Sequence, residues 1–272
     1  MNHKQFSNLV NKERNLQRII AKTVGDKSAV VAFSGGVDSS LLLMESVNAL
    51  GVDRVIAVTA NSPTSSQDQV QEAQDFAHAL DVELIIAETP ECSSPDFAAN
   101  GPKRCYHCKK VRYQTISATR GIPLDAVLFD GTNIDDDPSD RPGFAALIEL
   151  GIHTPLRQAS LKKDEIRALL KGAGFHKMAM KCSQPCLATR IPQGTPITLE
   201  ALDRIREGEQ LFKNLGFGIF RLRTHGNLAR IVFDLDGFEK ILSNRQLRKT
   251  ISGELKKIGY KTITLDLEEY GA

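Results

Sequence analysis

The chain has 272 residues, 41% of them hydrophobic and 25% charged, with a formal net charge of +2. That length suits one large domain or two ordinary ones, and the composition is that of a globular chain with a real core, which excludes wholesale disorder. The near balance of charge argues against nucleic acid as a partner, because phosphate contacts call for a basic excess. No apolar run is long enough to span a bilayer, and residues 1–18 lack the apolar centre of a secretion signal, so no membrane partner and a cytoplasmic location are expected.

In chain order, residues 8–23 carry Leu9, Leu16, Ile19 and Ile20 at helical spacing and predict an amphipathic helix. A short apolar run, 28–33, predicts a buried strand that breaks at Ser34-Gly35-Gly36, and a helix follows over 38–50. The pattern repeats with strands over 54–60, 82–87 and 126–130 and helices over 66–80, 108–120 and 161–172. Strands alternating with helices predict an α/β fold with a doubly wound parallel sheet. After about residue 180 the rhythm changes. A helix over 198–215 leads to strands over 218–224 and 228–234, joined at His225-Gly226-Asn227, then a helix over 238–258 and a last strand over 262–267. The expected organisation is a first domain over 1–180, a linker over 181–197 carrying Cys182 and Cys186, and a small α+β domain over 198–272 for substrate binding or self-association.

Ser34-Gly35-Gly36-Val37-Asp38-Ser39-Ser40 stands between a buried strand and a helix. Glycines let backbone approach a phosphate closely, and a helix start offers unpaired N–H groups and partial positive charge to an anion. The serines add hydroxyl donors, and Asp38 can orient the loop or hold a magnesium ion. The run ends in neither the lysine nor the glycine spacing of the two commonest phosphate motifs. It matches the S-G-G-x-D-S signature of PP-loop ATP pyrophosphatases, which implies cleavage of ATP between the α and β phosphates.

Five cysteines, with no signal for export, argue against a disulfide framework. Cys105 and Cys108 form a C-x-x-C pair, Cys182 and Cys186 lie far along the chain, and Cys92 reads as a small buried residue. Four thiolates at these spacings suit zinc, three suit an iron–sulfur cluster with one open iron, and the close pair suits a redox couple. Spacing alone leaves these open beside plain free thiols. Lys103, Arg104, Lys109 and Lys110 flank the pair, and His107 reads as a loop histidine.

Taken together, Ala32–Ser40, Thr59–Ser62, Arg104–Lys110, Asp130–Asn133, Asp140–Gly143, Cys186–Gly194, Arg221–Arg223, Ala229–Arg230 and Tyr260–Asp266 resemble the LarE sulfur transferases over nearly the full length. The Arg-Cys-x-x-Cys-Lys and Cys-Leu-Ala-Thr-Arg-Ile-Pro segments are the most specific of these. The resemblance implies ATP and Mg2+ as cofactors and a mononucleotide substrate, pyridinium-3,5-biscarboxylic acid mononucleotide. Its carboxylates would be adenylated and converted to thiocarboxylates, toward the nickel-pincer cofactor of lactate racemase. It further implies that Cys105, Cys108 and Cys186 hold a [4Fe-4S] cluster, rather than one cysteine giving up its sulfur, and that a sulfide donor reloads it.

On that footing Ser34, Gly35, Gly36, Asp38, Ser39 and Ser40 take the pyrophosphate end of ATP, and Ala60 and Ser62 lie near the adenine. Asp130 serves magnesium or ribose, and Lys109 and Arg190 contact phosphate or the substrate carboxylate. Arg221 and Arg223, on one side of a strand, clamp the substrate phosphate with Arg230. Glu209 reads as an exposed helical acid, and Asp135-Asp136-Asp137 as a solvated loop. A homo-oligomer is expected. A tRNA-thiolating enzyme of the same loop class and a zinc-stabilised nucleotide-binding module are the alternatives.

Overall fold

The computed structural model describes residues 3–66, 68–137 and 142–270. Its elements run α1 (His3–Val24), β1 (Ala29–Ala32), α2 (Val37–Leu50), β2 (Val55–Asn61), α3 (Gln69–Ala79), β3 (Glu83–Glu88), α4 (Pro95–Ala98), α5 (Arg104–Ser117), β4 (Val127–Phe129), α6 (Gly143–Glu149), α7 (Pro155–Gln158), α8 (Lys163–Gly172), α9 (His176–Ala179), α10 (Leu199–Asn214), β5 (Phe220–His225), β6 (Leu228–Phe233), α11 (Leu235–Ser243), α12 (Arg245–Lys257) and β7 (Thr262–Leu265). They form two compact units. The first takes in the chain up to Ser62, Asp68–Ser94 and Lys103–Gln184; the second takes in the segments beginning at Pro63 and Pro95, and the chain from Pro185 onward.

The first unit holds a parallel sheet in the order β3-β2-β1-β4. β1 and β2 read as nearly continuous apolar runs because helices cover both faces of such a sheet. Leu41, Leu42 and Leu43 of α2 are all fully buried, each contributing about 1.5–3 kcal/mol. β1 pairs with β2 on one side and β4 on the other, so the chain reverses direction across the sheet at β1. The crevice beyond the carboxyl ends of strands at such a switch point is where open α/β sheets bind ligands.

The second unit is a mixed sheet, β5-β6-β7, with β5 antiparallel and β7 parallel to β6. Phe220, Leu222 and Thr224 turn to its buried face, where Phe220 and Leu222 pack with Phe212 of α10, Leu255 of α12 and Tyr260. Gly208 lets α10 come close: a Cβ there would sit 2.1 Å from Leu222 Cδ2.

Three expectations change. The helix expected over 108–120 begins at Arg104, because Gly101-Pro102 stops the preceding segment and proline is well tolerated just before a helix, so Cys105, His107 and Cys108 are helical. The single helix expected over 238–258 is two. Asn244 is extended (φ −115°, ψ 95°) and its side chain accepts from Leu247 N at 2.9 Å, capping α12. The segment 181–197 is not a free linker: Lys181–Gln184 belong to the first unit and residues from Pro185 to the second. There Leu187 N donates to Thr64 O at 2.9 Å and the Asn100 amide donates to Pro192 O and Thr195 O, each at 2.8 Å.

Candidate nucleotide site and the cysteine segments

The loop after β1 is organised by its own hydroxyls. Ser39 Oγ donates to Gly36 O at 3.1 Å and lies 3.2 Å from Ser34 Oγ, and Gly36 N donates to Ser34 Oγ at 3.4 Å. Gly35 adopts φ +66°, a left-handed conformation that only glycine takes without strain. Gly36 caps α2 without a side-chain bond, so the first N–H groups of α2 stay open to an anion. Thr59 Oγ1 of β2 donates to Phe33 O at 2.8 Å and fixes where the loop leaves the sheet.

A cavity of about 300 Å³ opens on this loop. Ser34, Gly36, Asp38 and Ser39 form one wall, Ala60 and Val58 the sheet side, and Asp130, Gly131 and Thr132, after β4, the adjoining edge. The opposite wall is α5, which contributes Lys109, Arg112, Tyr113 and Ile116. The space is therefore apolar at the sheet and polar at the loop, which suits a base at one end and phosphates at the other.

Asp38 is half-buried and pairs with Lys163 Nζ at 2.6 Å, while its Oδ1 is buried without a hydrogen bond. Burial pushes its pKa up against the pull of the Lys163 ammonium. Asp38 lines the cavity, and a carboxylate there suits a hard cation such as magnesium, whose ligands are oxygens. Ser40 is fully buried and faces the interior rather than the cavity, and Ser62 is buried beside Arg112, 3.4 Å from its Nη2.

Asp130, expected to meet magnesium or ribose, spends both oxygens on the protein. Oδ2 accepts from Lys109 Nζ at 2.8 Å and Tyr113 OH at 2.6 Å, and Oδ1 accepts from Thr132 N at 2.8 Å and from Thr132 Oγ1. Burial alone would raise its pKa, but the Lys109 charge and these donors hold it below the usual carboxylate range. The same burial and the Asp130 charge push the Tyr113 phenol well above its ordinary value. Arg112, which spacing did not single out, is held by the fully buried Glu91 at 2.7 and 2.9 Å. Only the tertiary fold brings Glu91 and Arg112 together. The Asp135–Asp137 run is more than solvated loop: Asp136 lines the cavity and accepts from Asn133 N, and Asp135 accepts from Lys163 N at 2.7 Å.

Cys105 and Cys108 sit in the first two turns of α5, three residues apart and on neighbouring positions of its surface. Cys105 is exposed and Cys108 half-buried. Lys110 leaves the site and pairs with Glu149 at 2.7 Å. Cys92 is half-buried rather than buried. Asp140 and Arg141 lie outside the described residues.

In the second unit Cys186 is half-buried at the start of the tight turn Leu187–Arg190. Arg190, expected as a contact for phosphate or a substrate carboxylate, is turned inward at 5% exposure. Its guanidinium pairs with Glu209 at 2.9 Å and donates to Pro185 O at 2.6 Å and Cys186 O at 3.2 Å. Glu209 is accordingly not an exposed helical acid; it is buried, and its Oε1 also accepts from Leu222 N at 3.1 Å. A buried guanidinium needs a buried carboxylate, and helix spacing in the sequence cannot reveal that pairing.

Arg221, Arg223 and Arg230 share the face of the small sheet opposite its core, with Arg223 directly across from Arg230. Arg230 pairs with Asp266 at 3.3 Å. Arg221 lies over the Tyr270 ring and donates to its hydroxyl at 3.0 Å; burial, then the nearby Arg190 charge, lowers its pKa.

Cys105, Cys108 and Cys186 are outside any disulfide and have some solvent access, which suits metal or sulfur chemistry. α5 offers two of them from one turn, while Cys186 belongs to the other unit. Among the described residues no group of three or more His, Cys, Asp or Glu side chains is drawn together to hold a metal ion. The same residues include no helix long and apolar enough to cross a membrane.

A serine-glycine turn at the switch point of a parallel sheet, walled by polar side chains, defines a PP-loop α/β nucleotide-binding protein. A family described as NAD synthase matches residues 9–96. The chain is 30% identical over 240 residues to the pyridinium-3,5-bisthiocarboxylic acid mononucleotide synthase of Lactiplantibacillus plantarum, covering 87% of this chain and 84% of that one. It is 32% identical over 242 residues to an uncharacterised protein of Synechocystis sp., covering 89% of each. Over 57 residues, 21% of this chain and 20% of the other, it is 47% identical to the NH(3)-dependent NAD(+) synthetase of Thermotoga maritima. The chain belongs to the LarE family.

Proposed function

We propose that this chain is an ATP-dependent sulfur transferase that adenylates the carboxylates of pyridinium-3,5-biscarboxylic acid mononucleotide and converts them to thiocarboxylates. A carboxylate oxygen attacks the α-phosphorus of ATP and pyrophosphate leaves. A sulfur nucleophile then attacks the acyl carbon and AMP leaves. Activation is needed because oxide is a very poor leaving group, and the open N–H groups at the start of α2 would stabilise the departing pyrophosphate. The observation that carries the reading is one cavity walled by the phosphate loop and by the helix bearing Cys105 and Cys108.

Cys105, Cys108 and Cys186 are assigned to a [4Fe-4S] cluster, which when bound would supply sulfide from its open iron. Asp38, which lines the cavity, is assigned to Mg2+. Arg221, Arg223 and Arg230 are assigned to the substrate phosphate, and the product to nickel-pincer cofactor synthesis for lactate racemase.

Incubation with ATP and the mononucleotide should release AMP and pyrophosphate and yield the thiocarboxylate; release of ADP instead would rule out adenylation. Anaerobic purification should give about four irons per chain. One tight zinc and no iron would defeat the cluster assignment. Cys186→Ala should lose iron and keep ATP binding.

One observation favours a second reading. Arg245, Arg248, Lys249 and Lys256 line one exposed side of α12, a cationic strip suited to a polyanion such as tRNA. Salt-dependent tRNA binding that Arg248→Glu weakens would favour tRNA thiolation.

A further inference from the structure

We propose that Asp130 is a positioning residue: it sets helix α5, and with it the Cys105–Cys108 pair, against the phosphate loop. The inference deepens the function proposed above and rests on it.

Residues four apart on a helix form a ridge. On α5 one ridge runs Cys105, Lys109, Tyr113 and the next runs Cys108, Arg112, Ile116. The two cysteines therefore lie on the two ridges whose later members wall the nucleotide cavity, each one step before the first of those members. Asp130 grips the first ridge at two successive turns, at Lys109 Nζ and Tyr113 OH. The buried Glu91 grips the second at Arg112.

Asp130 is equally tied to the loop. Its other oxygen holds Thr132, and between the two stands Gly131, where a Cβ would lie 3.1 Å from Ser39 N and 3.3 Å from Ser39 Cα. That backbone contact leaves no slack between the strand end and the phosphate-binding turn. Gly143 of α6 packs on the same ridge of α5, where a Cβ would lie 3.2 Å from Cys105 O and 3.1 Å from Lys109 Cδ. A shift of the phosphate loop is thus passed through Gly131 and Asp130 to α5, and the thiols move with the helix as a rigid arm. With both oxygens occupied, Asp130 needs no ligand to satisfy it, so its burial is explained by this clamp.

The test uses Asp130→Asn, nearly isosteric but uncharged, and the ATP analogue with a methylene between the α and β phosphates. Hydrogen–deuterium exchange is read over residues 104–117. In the parent chain the analogue should slow exchange there. In the variant the analogue should bind within about threefold of the parent affinity yet leave exchange over 104–117 unprotected. Turnover should fall on the order of 100-fold with KM for ATP within about threefold, the cost of misplacing a reacting group by about an ångström. Tyr113→Phe removes one of the two grips without removing charge and should show the same pattern more weakly, which covers a misfolded Asp130→Asn. Retained protection over 104–117 in both variants overturns the proposal. So does a loss of analogue affinity beyond tenfold with α5 unchanged, since Asp130 would then be a ligand contact. If the parent binds the analogue and protects α5 but makes no thiocarboxylate, the proposed function fails and the clamp stands.

Discussion

The two units carry the three cysteines assigned to the cluster on different kinds of backbone, and each kind is held by a different device. Cys105 and Cys108 ride on a regular helix, where local hydrogen bonding sets their spacing and tertiary contacts need only fix the helix as a body. Cys186 opens a short turn with no such regularity, and its carbonyl is held by a buried Arg190–Glu209 pair reaching β5. A helix needs one anchor per ridge. A loop needs a charged side chain delivered into the interior to satisfy its carbonyls one by one.

The largest effect should come from breaking the loop's device. Arg190→Met leaves Glu209 buried without its cation and should destabilise the chain by about 3–5 kcal/mol. Urea unfolding checks this, and adding Glu209→Leu should recover part of the loss. If Arg190→Met is as stable as the parent, the loop is held by something else.

Next, Gly131→Ala forces a methyl against the backbone of Ser39 and should cost about 1–3 kcal/mol by overpacking. Nucleotide binding, followed by calorimetry, should weaken more than in Thr132→Val. That second variant removes one hydroxyl donated to Asp130 and should cost about 0.5–1.5 kcal/mol.

The pH dependence sharpens the contrast between buried acids with and without a cation. Asp130 has Lys109 and its folded pKa is lowered. Its contribution is present above the unfolded carboxylate value and is lost as pH falls through the folded one. Glu45, fully buried on α2, is held among the described residues by the amides of Gln17 and Asn48, and burial raises its pKa. Its contribution is present below the unfolded value and is lost as pH rises through the folded one. Stability curves from acid to neutral pH should flatten in opposite directions for Asp130→Asn and Glu45→Gln. Matching slopes would show that the cation makes no difference. The smallest effect belongs to Tyr270→Phe, which removes one hydrogen bond from Arg221 while keeping the ring beneath it, at about 0.5–1.5 kcal/mol.

Much of the fold was legible because apolar periodicity and glycine turns are local signals. The strands of the first unit, the helix after Ser34-Gly35-Gly36 and the hairpin at Gly226 all lie within a residue or two of their expected positions. The break at Asn244 was missed because an apolar stripe continues across it, while the cap that ends one helix and starts the next depends on a single side chain. At the site, the phosphate loop was legible and the duties of its neighbours were not. Arg190 read as a ligand contact and Glu209 as an exposed acid, yet the two meet in the interior; Asp130 read as a ligand contact yet is filled by the protein, and Arg112 gave no signal.

The sequence by itself determined the alternation of strands and helices in the first unit, the phosphate turn and the C-x-x-C spacing, because each depends on neighbours a few residues apart. Only the tertiary structure decided which charges face the cavity and which hold the scaffold. Glu91 and Arg112 stand 21 residues apart, as do Lys109 and Asp130, and Arg190 and Glu209 stand 19 apart. A buried charge is tolerable only where the fold delivers its partner, and no local pattern records that meeting.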